Sequence, residues 1–164
     1  MTAAPRSAAA LREYRNTRLY RSLTRTLRVY NRLLVENLRS RGFTDFSPAF
    51  PSLLSNLDTG GSRIGILAAR AGVTRQAAGQ LLKKIEQCGY VETRASREDA
   101  RATMVYFTAR GRRLLATVIE LLEDIEADVA RDLGADEFEQ TRKGLLRIAN
   151  RIDPGGTLGS GDRS

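Results

Sequence analysis

Leu19, Leu23, Leu27, Tyr30, Leu34 and Leu38 recur at steps of four, four, three, four and four, the apolar stripe of an amphipathic helix. The pattern starts near Leu11 and ends at Gly42, with Arg39 and Arg41 in the last turn, where cations meet the negative helix end. Arg12, Arg15, Arg18, Arg21, Arg25, Arg28 and Arg32 fall mostly off the stripe and read as a solvated face. Ser47-Pro48 reads as the start of a short helix carrying Phe50, Leu53, Leu54 and Leu57, stopped by Asp58-Thr59-Gly60-Gly61. Another short helical run follows Ser62, with Ile64, Ile66, Leu67, Ala68 and Ala71, and closes at Gly72. Only Val73-Thr74 separates it from a further helix running to Cys88. Two short helices around a tight glycine-containing turn are the sequence image of a helix-turn-helix.

After Gly89 the period changes. Tyr90 to Arg94 and Thr103 to Phe107 are rich in β-branched and aromatic residues, and a polar, charged stretch from Ala95 to Ala102 lies between them. This predicts a β-hairpin with a long tip, a wing. Thr108 then caps a long helix with Leu114, Leu115, Val118, Leu121, Leu122, Ile125 and Val129, broken at Gly134. A last helix from about Asp136 carries Phe138, Leu145, Leu146, Ile148 and Ile152, with Asp136 and Glu137 suited to its positive end. The fold class expected is mainly α with a small β-hairpin. Residues 1–10 and 154–164 are small and polar and read as flexible tails.

The 164 residues suit one domain, and 41% hydrophobic with 28% charged residues is the balance of a globular chain that closes a core. No stretch approaches the ~18 consecutive apolar residues of a membrane span, and arginines interrupt any secretory pattern near the start, so a cytoplasmic protein is expected. Histidine is absent and Cys88 is the one cysteine. That removes imidazole catalysis, intrachain disulfides and thiolate metal clusters, so neither an enzyme nor a cofactor or metal is expected.

The net charge of +8 is unevenly spread. Residues 1–61 hold ten Arg/Lys against four Asp/Glu and residues 62–113 eleven against four, whereas residues 114–150 hold four against nine. Basic charge in the first two-thirds points to a polyanion, such as nucleic acid. On the helix after Thr74, the residues Val73, Ala77, Leu81, Ile85 and Cys88 are expected to pack inward. Arg75, Gln76, Gly79, Gln80, Lys83 and Gln87 occupy the other side. Arg and Gln suit bidentate bonds to guanine and adenine edges in the major groove. Gly79 leaves room for close approach to a duplex, and Thr74 at the cap offers a hydroxyl and nearby backbone N–H groups to a phosphate. Arg63, Arg75 and Lys83 are candidate phosphate contacts. In the wing, Arg94, Arg97 and Arg101 are candidates for a narrow minor groove, with Asp99 holding the loop and orienting an arginine. Cys88, on the inward side, reads as a buried small hydrophobe.

Ile66-Leu67-Ala68, Gly72-Val73-Thr74, Leu81 to Ile85, Cys88-Gly89-Tyr90-Val91, Arg94, Asp99-x-Arg101 and Phe107-Thr108-x-x-Gly111 together resemble the MarR family of multiple-antibiotic-resistance-type regulators, from about residue 11 to 152. The most specific part is an Arg, then Asp-x-Arg, then Phe-Thr before a Gly. The resemblance implies a winged-helix homodimer that binds palindromic operators and is often released by small aromatic ligands. It implies recognition by Thr74 to Gln87 and a wing arginine, Arg101, supported by Asp99. The sequence departs from the family pattern where Asp58 to Ser62 precedes Arg63 and Gly65, which leaves a short first strand open, and at Gly79, which leaves operator preference open.

The organisation expected is one MarR-like domain over 11–152, with a winged helix-turn-helix over about 47–108 and dimerisation helices over about 11–41 and 109–152. Those outer helices bring apolar stripes beyond what a winged helix needs for its own core. Pairing them across a two-fold axis sets two recognition helices about one DNA turn apart, roughly 34 Å. The function expected is a double-stranded DNA-binding transcriptional regulator, a repressor. A nucleoid-type DNA binder without an operator, or a protein-interaction module, is the alternative.

Overall fold

A computed structural model of the chain describes Ser7 and residues 18–95 and 103–154. Helix α1 (Leu19–Ser40) is followed by turns and the four-residue α2 (Pro51–Leu54), strand β1 (Ser62–Arg63), α3 (Ile64–Arg70) and α4 (Arg75–Gln87). Then come β2 (Val91–Ala95), β3 (Thr103–Phe107), α5 (Ala109–Leu133) and α6 (Ala135–Ile152). The strands form one antiparallel sheet in the order β1-β3-β2. Val91 faces Phe107 and Ala95 faces Thr103 across the hairpin, and Ser62 faces Val105 on the other side of β3.

One core collects the inward side chains of every element but β1 and α6. Leu34, Val35 and Leu38 of α1 meet Leu114 and Leu121 of α5 at one end, while Leu67, Ala68, Leu82, Ile85, Val91 and Val105 close the winged unit. Tyr90, fully buried just before β2, stands between them, its ring 6.1–6.2 Å from those of Phe43, Phe46 and Phe50. The turn between α3 and α4 needs a left-handed residue, and Gly72 supplies it at φ +65°. Gly111 answers a different demand. A Cβ there would run into the Tyr90 carbonyl, so the first turn of α5 packs on the chain entering β2 only without a side chain.

Thr108 accepts a bond from the Gly111 N–H at 3.0 Å and caps α5, and Gly134 separates α5 from α6, both as the sequence predicts. Three details differ, and one that the sequence leaves open is decided. Proline opens the second helix at Pro51 rather than at Pro48, and the segment from Ser47 to Phe50 is turn. A two-residue first strand does form, because the backbone of Ser62 and Arg63 pairs with the far edge of β3. The buried face of α4 is Ala78, Leu82 and Ile85, with Ala77 and Val73 exposed. Finally, Cys88 is only half-buried, and burial followed by the Asp45 carboxylate pushes its thiol above the ordinary value.

Two surfaces stay apolar and uncovered. Leu19, Leu23 and Leu27 on the first turns of α1 are 38–62% exposed, and α6 has no buried residue, with Leu146 at 50% and Ile152 at 78%. No helix among the described residues is long and apolar enough to cross a membrane.

Candidate nucleic-acid interface

Helix α4 carries the basic and amide side chains because its opposite side is locked into the core. Gln76, Gln80, Lys83 and Gln87 follow one another at four, three and four residues, so they share one row, and all are exposed. Arg75 stands beside them at the first helical position, exposed as well. Thr74 begins the helix with its side chain accepting from the Ala77 N–H at 3.1 Å, and no acid lies in the first turn to offset the positive end. Gly79 sits on the flank of the row, half-buried. A Cβ there would make ordinary contact, 3.9 Å, with Ile64 of α3, so its place is beside the neighbouring helix rather than at the crest of the row.

Arg63 is exposed on β1, opposite Met104 of the wing, which brings a cation of the helix-turn-helix to the sheet. Arg94 leaves β2 exposed, its guanidinium bonded to Glu92 and 5.5 Å from the Tyr106 ring centre. Arg97, Asp99 and Arg101 lie outside the described residues.

Three supports of this surface have no signature in the sequence. Arg70, on α3, donates to both oxygens of Asp58 at 2.8 and 2.9 Å and to the Asn56 carbonyl at 3.0 Å. The Ser62 hydroxyl, first, and then Arg70 hold the Asp58 carboxyl below its ordinary value despite burial. Arg70 is thus a clamp on the loop before β1 and not part of the exposed row. Glu86 turns its carboxylate away from the row and accepts from both Thr93 groups of β2, N–H at 2.8 Å and hydroxyl at 2.9 Å. At the far end of α4, Arg110 of α5 donates to the Cys88 carbonyl and to both oxygens of Asp45, at 2.9 and 3.0 Å, and lies 4.7 Å from the Tyr90 ring centre. The Tyr90 hydroxyl also donates to Asp45. Burial would raise the Asp45 carboxyl, but the Tyr90 and Arg110 bonds outweigh it and hold it low. These pairs are 7 to 65 residues apart, so no local pattern signals them.

Among the described residues no group of three or more His, Cys, Asp and Glu side chains is placed to hold a metal. A helix pair turning at Gly72, followed by a hairpin whose second strand also pairs back to the segment before the pair, defines a winged helix-turn-helix protein.

Residues 45–102 match the model of the MarR family, so the helix-turn-helix and the start of the wing are similar to that family. Solved structures share the wider architecture. A structure of MarR is 21% identical over 92% of this chain and 95% of its own, with a TM-score of 0.72. The transcriptional repressor CouR, bound to a 23-mer DNA duplex, is 19% identical over 89% of this chain and 99% of its own, TM-score 0.67. The regulator BldR from Sulfolobus solfataricus is 23% identical over 81% and 93%, TM-score 0.64. No curated protein matches the chain.

Proposed function

We propose that this chain is a sequence-specific double-stranded DNA-binding transcriptional regulator, a cytoplasmic repressor acting as a homodimer. The observation that carries this reading is the exposed row Gln76, Gln80, Lys83 and Gln87 beside Arg75, on the second helix of the helix-turn-helix, which Glu86 ties to the wing. Amide and guanidinium groups in such a row match base edges in the major groove. Arg63, Arg75, Lys83 and the wing arginines Arg94, Arg97 and Arg101 meet phosphates or the minor groove, with Thr74 at the positive helix end. Asp99 orients Arg101, and Gly79 gives the row a flank without bulk. CouR, of the same fold, is a repressor solved on DNA, which supports the duplex as partner.

The dimer follows from the uncovered leucines of α1 and the apolar face of α6, which a second copy would bury. The acidic balance of residues 114–150 suits helices held away from the phosphates. An open groove of about 530 Å³ along α1, lined by Leu27, Val35 and Pro48 with Arg28, Arg32, Arg39 and Glu36, is the place proposed for a small aromatic effector.

Selection of bound fragments from random DNA, followed by footprinting, tests the reading. A discrete palindrome should be protected, and affinity should fall about 10³-fold or more between about 50 and 200 mM salt if six or more phosphates are engaged. Uniform coverage without a palindrome would mark a nucleoid-type binder, and salt-insensitive or absent binding would end the reading.

A further inference from the structure

Glu86 is an acid on the helix that the proposed function lays against DNA, where a carboxylate repels phosphate. Its side chain resolves the conflict by turning towards the sheet. One carboxylate oxygen accepts from both the Thr93 N–H and the Thr93 hydroxyl, at 2.8 and 2.9 Å. The backbone of the same residue is engaged too, since its carbonyl accepts from the Gly89 N–H at 2.8 Å as α4 ends. Glu86 therefore closes the connection from α4 to β2 from both sides. The connection could otherwise flex, because it passes through Gly89 at φ +71°, and Arg94 follows Thr93 directly, with Arg97 and Arg101 later in the sequence.

We propose that Glu86 is a positioning residue that fixes the angle between the reading helix and the wing, so that both reach one duplex together. This inference rests on the DNA-binding function proposed above, and its test separates the two. Glu86→Gln removes the charge but keeps a side-chain oxygen in place to accept both Thr93 bonds. Glu86→Ala removes charge and acceptor alike. Simple loss of a negative charge near DNA would strengthen binding equally in both variants. A brace predicts opposite signs.

The assay is fluorescence anisotropy on the duplex selected by the wild type and on a scrambled control, with the full chain at a temperature where circular dichroism reports it folded. Glu86→Gln should bind the selected duplex as tightly as the wild type or more tightly. Glu86→Ala should bind about tenfold more weakly, with a salt slope shallower by about 1 for each phosphate that the wing no longer reaches. Thr93→Val, which keeps the backbone bond and deletes the hydroxyl bond, should show a smaller loss in the same direction. If Glu86→Ala does not fold, Thr93→Val against Glu86→Gln decides by the same signs. Equal gains in both Glu86 variants would overturn the inference. So would a lowered melting temperature in Glu86→Ala with affinity and slope unchanged. A wild type that binds no duplex would instead overturn the function on which it rests, and the inference with it.

Discussion

Tyr90→Phe removes one oxygen from the middle of the protein and leaves the rest of the side chain in place. The ring keeps its neighbours Phe43, Phe46 and Phe50, and the Arg110 guanidinium keeps a ring 4.7 Å away. Only the bond to Asp45 is removed. A hydrogen bond to a charged group contributes about 1.5–3 kcal/mol. Asp45 retains Arg110 at 2.9 and 3.0 Å and its side chain is 36% exposed, so water takes up part of the loss. The low end of the range therefore applies, about 1.5 kcal/mol at neutral pH. In a chain of this size that is roughly 3–6 °C in melting temperature.

The pH dependence sharpens the test. Asp45 is held below its ordinary value, so its contribution is full above about pH 4, the unfolded value, and is lost as pH falls through the depressed folded value. Tyr90 is held above its ordinary value by burial and then by the Asp45 bond, so its contribution is full below about pH 10 and is lost as pH rises beyond that. The stability gap between wild type and variant should be widest at mid-range and shrink at both ends. Urea unfolding followed by circular dichroism, at one protein concentration because the stability of the proposed dimer would depend on it, measures this. A gap that is absent at pH 7, or that persists unchanged at pH 2, would refute the charge-assisted bond.

Other substitutions probe the remaining supports. Gly111→Ala gains about 1 kcal/mol of helix propensity, but its Cβ meets the Tyr90 carbonyl, and overpacking of about 1–3 kcal/mol or more should win; a melting temperature at or above wild type would contradict the packing. Arg70→Ala leaves Asp58 with Ser62 alone and should cost about 1–3 kcal/mol, read by urea unfolding at pH 7, with the deficit fading on acidification because Asp58 too is held low. Gln76→Ala should lose roughly 1–3 kcal/mol on the selected site and little on random DNA, whereas Lys83→Ala should weaken both alike; equal losses from both on both DNAs would dissolve the division of roles. Leu23→Glu with Leu27→Glu should turn the proposed dimer into a monomer by sedimentation without lowering helix content, since both side chains are exposed within one chain.

Signals confined to one element are legible in the sequence, and those that need a distant partner are not. Thr108 announces a helix start and Gly72 a turn because capping and left-handed backbone are local demands. The hairpin follows from its two β-branched runs. Strand β1 has no such signal because two residues carry no period, and what makes them a strand is Val105 and Met104, some forty residues later. The phase of α4 differs from the sequence expectation for another reason. Ala77-Ala78 and Leu81-Leu82 are doubled apolar positions, so two helical rows one residue apart compete, and packing with the rest of the core selects Ala78, Leu82 and Ile85. The exposed row survives this shift, because Gln76, Gln80, Lys83 and Gln87 lie outside both apolar rows. Glu86, Arg70 and Arg110 on helices and Asp45 in a turn are invisible as supports, since a charge looks the same in sequence whether it faces solvent or a partner.

The sheet takes one strand from before the helix pair and two from after it, and β3 binds both. Such stitching leaves the reading half of the molecule little internal slack. Under the proposed function, a stimulus that changes its grip would move that half as a unit against α1 and α5, repacking the core around Tyr90 between them. The Asp45–Arg110 pair ties the turn after α1 to the start of α5, so a tilt at one would be felt at the other.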